Sequence, residues 1–248
     1  MLPQMKDLVT KYKPDIIWAD GDWDQTAKTW RTEEFTAWLF NESASKNEVV
    51  INDRLGSDTK SKHGSFQTSE YGSGNLSDGK PWEETRGIGQ SFGYNRNEYL
   101  EQYSSSKELI HELISVVARG GNLLLNIGPA ADGTIPVIMQ QRLKDIGDWL
   151  NVNGEAIYET KTWGKAPKVT KESNLFFTQK GNSIYAITTK WKNEIEIKDI
   201  SKPTRVSLLG YQGNVDYEYQ NNTLTIKMPL LTPDIIPCQH AWSVKIEF

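Results

Sequence analysis

Three short runs limit the folds open to this chain. Ile16–Ile17–Trp18–Ala19 is apolar throughout and closes on Asp20. Val49–Val50–Ile51–Asn52 closes on Asp53 and Arg54, and Leu123–Leu124–Leu125–Asn126 closes on Ile127–Gly128–Pro129. A run without apolar–polar alternation suits a strand covered on both faces, as in a parallel sheet. A weaker fourth candidate lies in "RGIGQSFGY", residues 86–94. Parallel strands need long crossovers, and the gaps between the runs carry helical spacing. In "TEEFTAWLFNES", Phe35, Trp38 and Leu39 fall at i, i+3 and i+4. Ser105 and Glu108 form a capping-box pattern before a stripe of Leu109, Leu113 and Val117, and Gly120 supplies the stop. Pro136 opens "PVIMQQRLKDIGDWL", with Gly154 after it, and "MLPQMKDLVTKYKPD" reads as a helix leading into a strand. Strands alternating with helices predict right-handed βαβ units, an α/β class.

Beyond Trp163 the pattern changes. "NLFFTQKGNSIYAITTKW" reads as two strands around Lys180–Gly181–Asn182, a hairpin signal, and "EIEIKDI" and "NTLTIKMP" alternate apolar with polar. An antiparallel β-sandwich is expected there, giving a (β/α) region over residues 1–160 and a β domain over 161–248. A complete (β/α)8 barrel takes about 250 residues by itself. With four countable strands in the first region, only a partial barrel is expected.

The net charge of −4, with no basic block, argues against a nucleic-acid partner. The single Cys238 excludes an internal disulfide framework and a thiolate metal cluster. No apolar run approaches the roughly 20 residues of a membrane span, so no membrane partner is expected. Nine tryptophans are many for 248 residues. Sugar-handling proteins use such flat faces, although core packing is the commoner fate of any one of them. His63, His111 and His240 show no mutual metal-ligand spacing.

Acids at the carboxyl ends of parallel strands occupy the place where α/β folds build active sites. Asp20 holds such a position, with Gly21 behind it to permit a tight turn. Asp20, Asp22 and Asp24 also alternate like the first ligands of a calcium loop. The sixth and twelfth positions, however, are Gln25 and Arg31 instead of Gly and Glu, so no metal is assigned. Arg54 stands just past the next strand, where a guanidinium favours the ionised form of a neighbouring carboxylate, as a nucleophile requires. An ordinary structural pair with Asp53 or Asp58 would use it equally well. Further acids follow: Glu70 in "QTSEYG" and Glu83–Glu84 in "KPWEETRGIG". Glycoside hydrolysis needs one carboxylate to attack carbon and one acid to protonate the leaving oxygen. Acids are common, and spacing alone does not establish that chemistry.

The blocks "YKPDIIWADGDWD", "VVINDRLG", "WEETRGIGQSFGYNRNE", "GGNLLLNIGPAADGTI" and "RLKDIGDWLNVNGEAIY" resemble, in order, those of glycoside hydrolase family 29, the retaining α-L-fucosidases. They cover residues 5–165; the tail, 166–248, resembles the family's C-terminal sandwich more loosely. The resemblance implies a partial TIM barrel followed by a sandwich, no cofactor, and removal of terminal L-fucose from glycans by double displacement. It makes Asp20 the nucleophile, places Trp18 at the sugar pocket and Arg54 close to the nucleophile, and sets Phe92 against the apolar face of fucose. Glu70, in an "x-E-Y" block, is the first choice of acid/base and Glu83 the second. A retaining mechanism puts the acid about 5–5.5 Å from Asp20. Family members are periplasmic or secreted in bacteria and lysosomal in animals, and an oligomer is possible. The family's first barrel strands, with the histidines and the Trp that grip the fucose hydroxyls, have no counterpart here. The expectation is therefore a fragment with little or no turnover alone, or a non-catalytic fucose-binding remnant.

Overall fold

Pro3 lies in the first turn of the first helix, where a missing N–H is no loss. This helix, α1 (Leu2–Tyr12), ends on Lys13 in the left-handed region at φ 45°. The computed structural model describes residues 1–72, 79–170 and 172–248 and divides into two units, Met1–Thr85 and Arg86–Phe248. After α1 the first unit runs through β1 (Ile16–Ile17), α2 (Ala27–Trp30), α3 (Thr32–Asn41), β2 (Val50–Ile51), β3 (Gln67–Glu70) and β4 (Trp82–Gly87), the last crossing into the second unit. β1 and β2 pair in parallel, Ile16 with Val50 and Ile17 with Ile51, as expected. The expected cover on both faces is not found, because in this two-stranded sheet Ile17 and Ile51 turn to the core while Ile16 and Val50 stay exposed. Phe35 and Leu39, one turn apart on α3, join Val9, Ile51 and Leu55 in one buried cluster. Burying each large side chain contributes about 1.5–3 kcal/mol.

β3 pairs in parallel with β4, Gln67 opposite Trp82 through Glu70 opposite Thr85. The apolar pattern gives no sign of β3, and the strand near residue 86 comes earlier than the "RGIGQSFGY" candidate. The cause is polar burial. Gln67, Thr68, Glu84 and Thr85 are all buried, yet none carries an apolar signature.

The second unit contains α4 (Ser106–Ala118), β5 (Gly121–Asn126) and α5 (Val137–Asn153). The capping box forms as expected: Ser105 Oγ accepts from the Glu108 amide at 3.2 Å, and Glu108 Oε2 accepts from the Ser105 amide at 2.7 Å. The Ser105 amide and hydroxyl lower the Glu108 carboxyl pKa. Gly120, at φ 83°, ends the turn after α4. Eight strands follow: β6 (Lys161–Thr162), β7 (Leu175–Lys180), β8 (Ser183–Thr188), β9 (Glu194–Ile197), β10 (Arg205–Leu208), β11 (Asp216–Gln220), β12 (Thr223–Lys227) and β13 (Trp242–Glu247). They form antiparallel sheets in the orders β10-β13-β8-β7-β6 and β11-β12-β9. Gly181–Asn182 makes the expected β7–β8 hairpin, with Lys180 opposite Ser183.

Alternate residues of β8 serve two cores. Ile184 and Ala186 share a cluster with Ile195, Ile197, Leu224 and Ile226 of the smaller sheet, so the two sheets enclose one core. Tyr185 and Ile187 pack instead with Ile110 and Ile114 of α4 and Trp149 of α5. A strand covered on both faces reads as an apolar run whatever its direction.

Tyr185 Oη donates to Glu155 Oε1 at 2.7 Å, and Lys245 Nζ pairs with the same oxygen at 2.6 Å. Burial first, then the Glu155 carboxylate, pushes the phenol's pKa well above its usual value. A raised folded-state pKa contributes stability that is complete below the unfolded value, near 10, and lost as pH rises through the folded value. The melting temperature is expected to fall above about pH 10, and less steeply in Tyr185→Phe. Parallel curves in thermal scans across that range would contradict this.

Candidate active site

The β1–β2 ladder has only two rungs, and the side chain of Asn52 extends it. The Asn52 amide N–H donates to Ile17 O at 3.2 Å. Its side-chain Nδ2 donates to Ala19 O at 2.8 Å, and its Oδ1 accepts from the Ala19 N–H at 3.1 Å. A fully buried amide thereby holds the chain straight past the strand end. Gly21, at φ 95°, turns it immediately afterwards.

Trp18 and Asp20, two residues apart, both meet Arg54. The guanidinium carbon lies 4.7 Å from the Trp18 ring centroid. Arg54 Nη1 donates to Asp20 Oδ1 at 3.1 Å, Nη2 pairs with Glu70 Oε1, and Nε donates to Thr68 Oγ1 at 2.9 Å. The Arg54 side chain is 3% exposed, against 54% for Asp20 and 39% for Glu70. A buried cation thus presents two carboxylates outward.

Asp53 sets the position of this cation. Its Oδ1 accepts from the Thr68 N–H at 3.1 Å and from the Thr68 hydroxyl at 2.7 Å, and its Oδ2 accepts from the Ser61 N–H at 2.8 Å. The third acid, Glu83, accepts at Oε1 from Trp18 Nε1–H at 2.7 Å and from the Thr85 hydroxyl at 3.4 Å. Glu83 makes no ion pair among the described residues.

The first unit therefore gathers Trp18, Asp20, Arg54, Glu70 and Glu83. Phe92 belongs to the second unit, where its carbonyl accepts from Asn126 Nδ2 at 2.7 Å. Asp22 is buried and Asp24 exposed. Asp58 accepts from the Ala27 N–H at 2.9 Å, so it is not the partner of Arg54. Sequence reading missed Asn52 and Thr68 and saw in Asp53 only a possible ion-pair partner. Strand parity offered one signal: Thr68 stands two residues before Glu70, and both reach Arg54. A cavity of about 560 Å³ between α3 and residues 55–65 includes none of the five gathered residues. Among the described residues no cluster of three or more His, Cys, Asp or Glu side chains is arranged to hold a metal.

A buried arginine holding two exposed acids, with a third on a neutral indole donor, can serve nucleophilic and acid–base chemistry on a neutral substrate. The family model for α-L-fucosidase matches residues 1–155, and that for the α-L-fucosidase C-terminal domain matches residues 168–247. The chain is 38% identical over 256 aligned positions to the tissue α-L-fucosidase of Homo sapiens, covering 99% of this chain and 54% of that protein. It is 37% identical to an α-L-fucosidase of Branchiostoma floridae, covering 99% of this chain and 56% of that one. The crystal structure of Thermotoga maritima α-fucosidase with a mechanism-based inhibitor superposes with a TM-score of 0.79 at 32% identity, over 100% of this chain and 56% of that one. The chain spans about half the length of the curated relatives it matches. Matched through both of its parts, the chain belongs to the α-L-fucosidase family, glycoside hydrolase family 29.

Proposed function

We propose that this chain carries the nucleophile and acid/base of a retaining α-L-fucosidase acting on fucosylated glycans. In this reading residues 1–160 are the C-terminal part of a (β/α) barrel and 161–248 its sandwich. The observation that carries it is the single buried guanidinium shared by Asp20 and Glu70. Arg54 holds Asp20 Oδ1, leaving Oδ2 to attack the anomeric carbon. As that bond forms, the bond to the leaving oxygen breaks, and the oxygen takes a proton from Glu70. Glu70 holds that proton once bound substrate draws the carboxyl off Arg54 Nη2 and removes the cation that favours its ionised form. Water, deprotonated by Glu70, then displaces Asp20 from the fucosyl ester. Glu83, steadied by Trp18, is the second choice for the proton transfers. Phe92 would wall the C5 methyl, which an aromatic face accommodates and water does not.

Stabilising the transition state takes donors arranged all round the sugar. Because the chain spans half of its relatives, slow or undetectable turnover of an aryl α-L-fucoside is expected from it alone. A covalent trap is the sharper test. A 2-deoxy-2-fluoro-fucosyl fluoride needs no general acid to leave, and its electron-withdrawing C2 substituent slows hydrolysis of the ester. Intact-mass and peptide mapping should place the adduct on Asp20, with Asp20→Ala unlabelled. An adduct on another residue would overturn the assignment. An unlabelled protein that still binds L-fucose by calorimetry would favour a non-catalytic fucose binder.

A further inference from the structure

Trp191 and Trp242 have no part in the site above. They pack against the sandwich core on one side, and on the other they line a cavity of about 410 Å³. Their ring centroids are 5.1 Å apart and their planes meet at 80°, so the indoles form a right-angled corner. Facing it are Lys107, Lys190, Gln239 and His240. Neither lysine ammonium makes an ion pair among the described residues, and no carboxylate lines this cavity. The buried Trp242 Nε1–H has no acceptor among the described residues. Burial holds the His240 imidazole below its usual pKa, which leaves the two lysines as the fixed charge.

The wall behind this corner is tied down. His111 Nε2 donates to His240 O at 2.9 Å, Trp149 Nε1 donates to Ala241 O at 2.9 Å, and Cys238 Sγ donates to the same carbonyl at 3.2 Å. His240 itself stands at φ 73°, a left-handed conformation that these bonds maintain. An adjoining cavity of about 520 Å³ shares Lys107, Gln239 and His240 and adds Arg142, Asp145 and Asp148. The charge there is mixed, with Asp145 engaged by Ser106 Oγ at 2.5 Å. The uniformly positive part is thus confined to the tryptophan corner.

An aromatic corner matches the apolar face of a pyranose, an amide matches its hydroxyls, and two unpaired ammonium groups match an anionic substituent. We propose that the Trp191–Trp242 cavity is a second, non-catalytic saccharide site, selective for a sugar ring that carries sulfate or carboxylate. It lies wholly in the second unit and does not rest on the roles of Asp20, Glu70 or Glu83.

The test is titration calorimetry on the whole chain at low ionic strength with three probes: a sulfated dextran oligosaccharide, an oligogalacturonate and an unmodified dextran oligosaccharide. At least one anionic probe is expected to bind about tenfold more tightly than the neutral one, with binding weakening as salt is added. The tighter of the two identifies the substituent. Excess L-fucose should leave this binding unchanged. Lys107→Glu/Lys190→Glu alters two exposed side chains, so its circular dichroism should match that of the unaltered chain while affinity falls about tenfold or more. Trp191→Ala should weaken the anionic probes further. Equal binding of the neutral probe, unchanged affinity after charge reversal, displacement by L-fucose, or no binding at millimolar concentrations would each overturn the proposal.

Discussion

Asp53→Ala is expected to destabilise the first unit by about 4 kcal/mol, more than any substitution of the exposed acids. Asp53 is only 1% exposed, and its two oxygens receive the Thr68 amide, the Thr68 hydroxyl and the Ser61 amide. Hydrogen bonds to an ionised acceptor contribute about 1.5–3 kcal/mol each, and deleting the acceptor leaves their donors facing protein instead of water. Asp53→Asn keeps one carbonyl oxygen but opposes an NH2 to one of those donors, so a loss of about 2 kcal/mol is expected. Hydrogen exchange at the Ser61 and Thr68 amides reads the effect locally, without requiring the two units to unfold together. Their protection should collapse in Asp53→Ala while amides of β8 stay unchanged. Asp53→Ala should also slow the Asp20 labelling, because Thr68 would no longer be fixed to receive Arg54 Nε. Full protection at both amides in that variant would show that the cation is held by other means.

The sequence made the outer parts of this cluster legible and hid its support, and burial explains the difference. Asp20 and Arg54 follow apolar runs that announce themselves, although only Ile17 and Ile51 of β1 and β2 join the α3 cluster while Ile16 and Val50 stay exposed. Glu70 lies on β3, whose Gln67 and Thr68 are buried by polar contact. A reading based on apolar period has no means of finding such a strand, so Glu70 stood out only as one acid among several until family resemblance gave it a role. Asn52 shows the same limit. It ends an apolar run like any loop residue, yet it substitutes for a rung of the sheet. In the second unit, alternation sufficed for β9 and β12, where one face packs and the other meets water. β8, whose two faces enter different cores, shows no alternation and was legible through its hairpin signal instead.

Arg54→Lys is the substitution that separates charge from geometry at the proposed site. A lysine keeps the positive charge but is a single point donor, whereas the guanidinium meets Asp20, Glu70 and Thr68 from three nitrogens while stacking on Trp18. If one buried fork sets the relative position of nucleophile and acid, Arg54→Lys should slow labelling of Asp20 about 100-fold, and Arg54→Ala about 1000-fold. Near-UV circular dichroism would establish that each variant keeps its tertiary packing. Arg54→Ala also empties a space bounded by Trp18, Asp20, Thr68 and Glu70, shaped for a planar cation. Guanidinium added below denaturing concentration should therefore restore part of the labelling rate, whereas an equal concentration of ammonium should not. A purely structural arginine would give a different pattern, in which stability falls and no small cation recovers the chemistry. Labelling of Arg54→Lys at the unaltered rate would mean that Asp20 needs only a nearby positive charge, and the shared guanidinium would lose its place at the centre of the mechanism.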